Sequence, residues 1–421
     1  MRIINLNDKS GTGKDIAITT VFDIISKIGS TVVTLLIIRI LTVDEYADIT
    51  FFNSIATFLS GVIGSGLTLS FVRYYAESTS RGNQNPSLFY SLIKMIIIAY
   101  LLVFSVFATY CHFAPGNSTL LILSLVFGLS LSLVSAVQAF YQASNRFSRA
   151  GLVVNTRSIL LLLIVLLIAL IGGKTSITLK IMISYAATGF ITAVCGMLLI
   201  HRETRKAPHV NGYNKREMLR EGAWLILYCF ILNLFNQLDI FMMKHFDMVN
   251  DVAQYGVAFK YYAIALSLLP AIQAVLRVKT AEKDIVDSDE IKANIATNWV
   301  KKAAPLVIAI VLVGELFAGP ALTLLNGVLY NDAIPIFRVL LIGMGISYLT
   351  APNISLMMSG NKQKTMCVVA FISLLSNFFG NYYLIPYFGG MAAAFTTVLS
   401  QAILNVSCTI IIIKARKGKL A

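Results

Sequence analysis

The chain has 421 residues, of which 57% are hydrophobic and only 13% charged, with a formal net charge of +14 and a mean hydropathy of +0.77. Soluble domains carry about a quarter charged residues, so the composition excludes an ordinary soluble fold and fits an all-α protein that crosses a bilayer many times. The positive charge does not point to nucleic acid, because Lys and Arg are parcelled into alternate loops along the chain.

A hydrocarbon core about 30 Å thick takes roughly 20 apolar residues per helix. Apolar runs predict twelve spans, at 18–40, 47–72, 88–111, 118–141, 152–172, 178–200, 222–243, 253–276, 303–325, 333–357, 366–385 and 391–413. The leading MRIINLNDKSGTGKD lacks the apolar core and cleavage site of a signal peptide. Its GTGK is not a phosphate loop, since Asp8 stands where the first Gly belongs and Asp15 follows Lys14.

Most of the 34 Lys and Arg residues fall in the N-terminal segment, the even-numbered loops and the C-terminal tail. Arg202, Arg205, Lys206, Lys215, Arg216 and Arg220 share one such loop, and Lys414, Arg416, Lys417 and Lys419 crowd the tail. The odd-numbered loops and their edges hold only Lys174, Lys180 and Lys244. Basic loops stay in the cytoplasm, so both termini are expected there and the number of spans is even. The outer loops, such as 112–118 and 386–390, are too short to form a domain. In the loop 277–302, Ile291, Ile295 and Trp299 share one helical face, as in a helix lying along the membrane surface or a solvated one. Cys111, Cys195, Cys229, Cys367 and Cys408 show no CxxC or Cys/His spacing and read as buried small hydrophobes.

VDEYADITFFNSIATF (43–58) and VAQYGVAFKYYAIALS (252–267) share a Val, a Tyr three positions on and then a small residue. They open the second and eighth spans. A six-span offset preserves orientation, so they read either as a parallel repeat, as in some transporters, or as chance likeness between apolar segments. Gly61, Gly64 and Gly66 in the second span, with Pro270, Pro320 and Pro352 later, mark sites of close packing or of hinging.

Ionisable groups inside spans are costly, and they mark a polar interior or a pathway. Nine stand out: Asp23, Lys27, Arg39, Lys94, Arg157, Asp239, Lys260, Glu315 and Arg338. Some have structural readings: Asp23 and Lys27 lie one turn apart and can neutralise each other, while Lys94, Arg39 and Arg338 lie near enough to an interface to snorkel. With six bases against three acids, a lumen lined by them attracts anions.

RILTVDEYADITFFNSIATFLSGVIGSGLTLSFVRYYA (39–76) resembles the first helical hairpin of Wzx-type polysaccharide flippases of the MOP exporter superfamily. Arg39, Leu41, Tyr46, Gly66 and Arg73 match, while Ala47 replaces the usual Gly. Asp239 and Tyr255-Gly256 fit the seventh and eighth spans of that family, Pro352, Gly360 and Pro386 fit its last three, and YQASNRFSRAG (141–151) its fourth loop. The resemblance implies two six-helix bundles around a central cationic cavity, 1–200 and 222–421, joined by a cytoplasmic linker at 201–221. It also implies a lipid-linked oligosaccharide cargo, an undecaprenyl-pyrophosphate O-antigen or capsule unit, flipped across a bacterial inner membrane. Lys27, Arg157, Lys260, Arg338 and Arg39 would hold that cargo, with Asp23, Asp239 and Glu315 tuning them or carrying a coupling H+ or Na+. No other cofactor, no metal and no nucleic acid is expected; membrane lipids and a polysaccharide polymerase are the expected neighbours. The rivals are a multidrug/cation antiporter of the same superfamily, which needs an acidic pocket, and a membrane polymerase or acyltransferase, which needs a reactive cluster at one face. The four scattered histidines, His112, His201, His209 and His245, and the short outer loops supply no such cluster.

Overall fold

A computed structural model describes residues 9–80, 87–113, 118–171, 176–205, 215–266, 288–359 and 362–417, with 269 and 272. The side chains of Asp23 and Arg73, and residues Pro270 and Gly360, lie outside the described residues. The described chain is all-helical, without strands. The helices are α1 (Lys9–Ile40), α2 (Val43–Leu59), α3 (Gly66–Ser80), α4 (Ser87–Phe113), α5 (Ser118–Ala143), α6 (Phe147–Ile171), α7 (Ile177–Thr204), α8 (Lys215–His245), α9 (Val249–Ala265), α10 (Asp289–Asn326), α11 (Ala333–Leu349), α12 (Pro352–Ser359) and α13 (Gln363–Lys417). A π-helical turn, Ser60–Ser65, joins α2 to α3.

Among the described residues eight helical stretches are long and apolar enough to cross a membrane. The last, Lys364–Ala415, has 52 residues, about 78 Å of helix at a rise of about 1.5 Å per residue, far more than one crossing needs. It is a hairpin. Gly389 leaves helical geometry at φ 54°, ψ −136°, and Asn381 meets Thr396 across the turn while Asn377 meets Thr397. Only antiparallel arms bring those pairs together. The two arms of α13, with the shorter α9 and α11 and with α1, complete the twelve expected passes.

The polarity of the packing is that of a membrane protein. Leu170, Leu324 and Leu316 point outward, Leu170 with 84% of its surface exposed, whereas Ser124, Ser130, Ser132, Thr188, Asn377 and Asn381 are buried. Without a hydrophobic drive between helices in lipid, association depends on close approach of small residues and on interhelical hydrogen bonds. α5 shows this most fully. A Cβ on Gly189 of α7 would stand 2.2 Å from the Ser130 hydroxyl, so the two backbones touch, and Tyr100 of α4 bonds Ser132 at 3.0 Å.

The chain divides into two compact units, Met1–Asn233 and Leu234–Ala421, and the division falls inside α8. The first part of α8 packs on the second pass: Phe58 meets Phe230 edge-on, and Gly66 and Gly61 lie against Ile226 and Asn233. The π turn sits at the closest of these approaches. In the first unit α5 is the hub, packed on α2, α4 and α7; in the second, α11 is packed in the same way on α9, α10 and α13. That pattern repeats at an offset of six passes and carries the internal repeat read from Tyr46 and Tyr255, both buried.

Local chemistry fixes the ends. Thr42 and Glu45 form a capping box at the start of α2, with Thr42 N–H to Glu45 Oε2 at 2.9 Å, and Thr178 of α7 donates to Glu45 Oε1 at 3.2 Å. Arg146, in the α5–α6 connection, and Arg149, in the first turn of α6, both grip Glu203 near the end of α7. Residues 289–302 do not form a separate surface helix: they continue into the ninth pass as one 38-residue α10. Its buried face is Lys292, Ala293 and Ala296, and the Trp299 indole donates to Tyr348 O at 2.9 Å. Pro320 is accommodated within α10, while Pro352 opens α12, where a missing N–H costs nothing. Cys229, Cys367 and Cys408 are buried and Cys195 is exposed.

The α13 hairpin turn is pinned by Asp251 near the start of α9, which accepts the Gly390 N–H at 2.7 Å. A Cβ on Gly389 would lie 2.3 Å from that carboxylate, in a backbone region that side chains rarely adopt. Gly389→Ala should therefore lower stability by about 1–3 kcal/mol, read as a lower thermal midpoint of the detergent-purified protein. An unchanged midpoint would contradict the turn as described.

Candidate functional site

The second unit contains a buried carboxylate. Asp239 sits on α8 with 2% of its surface exposed, among apolar neighbours such as Leu238 and Ile240. Four donors from three other passes meet it. Tyr255 of α9 and Thr397 of the second α13 arm donate to Oδ2, the latter at 2.6 Å. Asn381 and Asn377 of the first arm donate to Oδ1 at 2.7 and 3.4 Å. The shell is itself tied together: Asn381 donates to Asn377 Oδ1 at 3.2 Å, Asn377 to Thr397 Oγ1 at 3.2 Å, and Thr396 to Asn381. The four partners, Tyr255, Thr397, Asn381 and Asn377, are buried, and so is Thr396 behind them.

No base forms an ion pair with Asp239 among the described residues. Its charge is met by hydroxyl and amide dipoles alone. The same groups carry oxygens: two on Asp239, two amide oxygens and the threonine hydroxyls. A set of that kind suits a proton or a small hard cation such as Na+, which prefers carboxylate, carbonyl and hydroxyl ligands.

The remaining intramembrane charges have different settings. Arg157 lies half-buried on α6. Tyr185 of α7, hydrogen-bonded to Asn53 of α2, is close enough to interact with it electrostatically, and no carboxylate pairs with it among the described residues. Around it the α1–α6 interface is polar, with Ser26 bonded to Ser158 at 3.2 Å and the Asn155 amide to Phe22 O at 3.2 Å. Lys27 lies on α1 in that unit, half-buried, and Lys260 half-buried on α9 in the other. Glu315 and Arg338 neutralise each other across α10 and α11 at 3.7 Å. Arg39 and Lys94 are exposed.

The structure thus gathers one predicted residue, Asp239, with five that charge-based reading passes over. For Asn377, Asn381 and Thr397 the signal is present in the sequence as polar residues every fourth position in apolar spans: Ser373, Asn377 and Asn381 on one arm, Thr397, Gln401, Asn405 and Thr409 on the other. An uncharged stripe of that kind is easily read as helix packing.

The family model described as "Polysaccharide biosynthesis protein" matches residues 12–276, more than half of the chain. No curated protein matches significantly. Several solved structures share the fold. The "Lipid II flippase MurJ, inward closed conformation" aligns over 92% of this chain and 87% of its own, with a TM-score of 0.67 and 14% identity. A MATE transporter "in the bent conformation" aligns over 96% of each chain, with a TM-score of 0.68 and 14% identity. An inward-facing "multidrug resistance MATE family transporter of the MOP superfamily" aligns over 95% of each, with a TM-score of 0.67 and 13% identity. With a membrane fold shared with MOP-superfamily proteins and a family model covering most of its length, the chain belongs to the polysaccharide biosynthesis protein family.

Proposed function

We propose that this protein flips undecaprenyl-pyrophosphate-linked O-antigen or capsular repeat units across the bacterial inner membrane by alternating access. Both termini are cytoplasmic in this reading, and a proton or Na+ at Asp239 drives the cycle. The family match and the fold shared with a lipid II flippase support a lipid-linked cargo. The observation that carries the reading is a separation of unpaired charges. Arg157 in the first unit has no carboxylate partner and Asp239 in the second has no base, among the described residues. Buried charges need counter-charges, and an anionic head group for Arg157 and a coupling cation for Asp239 would supply them. Lys27 and Lys260 would add further positive potential for the pyrophosphate and any acidic sugar, with charge-assisted hydrogen bonds fixing the phosphate oxygens. No covalent chemistry is required of the protein, and the product face is where a polysaccharide polymerase would collect the unit.

A second reading, a multidrug/cation antiporter, draws on the buried Asp239 and on the MATE neighbours. The basic excess within the spans weighs against a cationic cargo.

In cells that depend on this protein, Arg157→Ala should reduce surface polysaccharide at least tenfold with normal membrane levels of the variant. Arg157→Lys should recover activity if charge alone matters, and stay impaired if a two-point phosphate grip is needed. Full display by Arg157→Ala would remove Arg157 from the cargo site. Asp239→Asn keeps the size of the side chain and should give flipping that no longer follows an imposed proton or Na+ gradient. Asp239→Leu strands four buried donors, at about 1–3 kcal/mol each, and should lower the amount of folded protein as well. Gradient-driven flipping at the wild-type rate by Asp239→Asn would place coupling elsewhere, with Glu315 the next carboxylate to test.

A further inference from the structure

On the outer surface of the first unit, two helices meet through side chains that neither the cargo reading nor core packing uses. The hydroxyl of Tyr90, on the first turn of α4, lies 3.0 Å from Nδ1 of His201, near the end of α7. The two rings stand edge-on with centroids 6.4 Å apart, and both residues are exposed. Both helices pack on α5, so the hydrogen bond ties one to the other at the surface. The pair keeps one donor to spare whichever group donates within it. If the Tyr90 hydroxyl donates to Nδ1, the imidazole proton is on Nε2; if Nδ1–H donates, the hydroxyl proton is free.

Two bases flank the pair. Lys94 stands one turn along α4 from Tyr90, and Arg202 follows His201 on α7; both are exposed. Neither forms an ion pair among the described residues. The adjacent acid, Glu203, is turned about 100° further round α7 and is held by Arg146 and Arg149. Beyond the bases the same faces become apolar. Ile97 and Leu101 continue the Tyr90–Lys94 face of α4, and Leu198 and Val194 continue the Arg202 face of α7, in steps of three and four residues. Each of the four has at least 40% of its surface exposed. Two lipid-facing apolar stripes thus lead up to one basic, hydrogen-bonding end.

We infer that this face binds the phosphate of an anionic phospholipid of the surrounding bilayer. Lys94 and Arg202 supply the charge, the Tyr90–His201 pair supplies a hydrogen bond to a phosphate oxygen, and the stripes seat the acyl chains. Charge complementarity names the occupant: two bases and no acid favour a head group with a net negative charge over a zwitterionic one. Basic residues at the end of a span often do no more than reach for the interface. Lys301 and Lys302 are of that kind, exposed at the corresponding end of the ninth pass with the exposed Leu306 beyond them. What sets the α4–α7 face apart is the Tyr–His pair fixed beside its bases. A lipid bound there would brace α4 against α7, and the site stands whether or not the flippase reading holds.

The test uses the full-length protein in phosphatidylcholine vesicles, with Leu198→Trp as a reporter in the α7 stripe and the emission of the parent protein subtracted. A small fraction of phosphatidylglycerol brominated on its acyl chains should quench the added tryptophan at least threefold more than the same fraction of brominated phosphatidylcholine. Leu306→Trp, beside Lys301 and Lys302, should show no such preference. In the Leu198→Trp background, Lys94→Gln combined with Arg202→Gln should abolish the preference. Tyr90→Phe, which keeps the ring and removes the hydroxyl, should reduce it at least twofold. Equal quenching by the two lipids at position 198, an equal preference at position 306, or a preference that either variant leaves intact would overturn the site.

Discussion

A carboxylate in the interior of an apolar bundle is the constraint to which the second unit is built. Removing such a charge from water costs several kcal/mol even after relaxation. Asp239 meets that cost with four hydrogen bonds and no ion pair. Hydrogen bonds to charged groups contribute about 1.5–3 kcal/mol each, so the shell and the burial are of similar size and the group is held near balance. That balance requires α8, α9 and both arms of α13 to meet at one depth. The reversal at Gly389 and its tie to Asp251 make the meeting possible.

The charges inside the spans divide into those that are answered locally and those that are not. Glu315 has Arg338, and Glu203 has Arg146 and Arg149. These pairs are partly exposed, and pairs of that kind contribute little on their own; they fasten elements. Arg157 and Asp239 have no such partners among the described residues, and they lie in different units. Charge without a local counter-charge among the described residues is the stronger functional signal, because it leaves room for an ion or a charged head group. An anionic lipid-linked head group and a small cation are the two things that would satisfy them.

Much of the fold was legible from hydropathy. Every expected pass falls on a helix, including the two that fold into one 55-residue α13, because Pro386 and Gly389 break the apolar run where the chain turns back. The ends are less well placed: α10 begins at Asp289 against an expected 303, and the expected span 333–357 breaks after Leu349 into α11 and α12. The repeat was visible only as Tyr46 and Tyr255; the packing of α5 and α11, which gives it weight, depends on small residues scattered over several helices. The helical run at 289–302 shows where periodicity misleads. Ile291 and Trp299 share a face, but Ile291 is exposed while Trp299 bonds α11, and the buried residues are Lys292, Ala293 and Ala296. Of the site, Asp239 stood out as a charge, whereas Asn377, Asn381 and Thr397 did not. Neutral polar residues in a span have two uses, packing and ligation, and only the geometry around a carboxylate tells them apart.

The most direct measurement is flipping by the purified protein in proteoliposomes under an imposed cation gradient, with cargo that differs only in its head group. An undecaprenyl-pyrophosphate oligosaccharide should cross faster with the gradient than without it. The same lipid with a neutral head group in place of the pyrophosphate should not cross, and a cationic dye should not be pumped. Gradient-driven movement of the dye, with no movement of the pyrophosphate-linked lipid, would contradict the account and favour the antiporter.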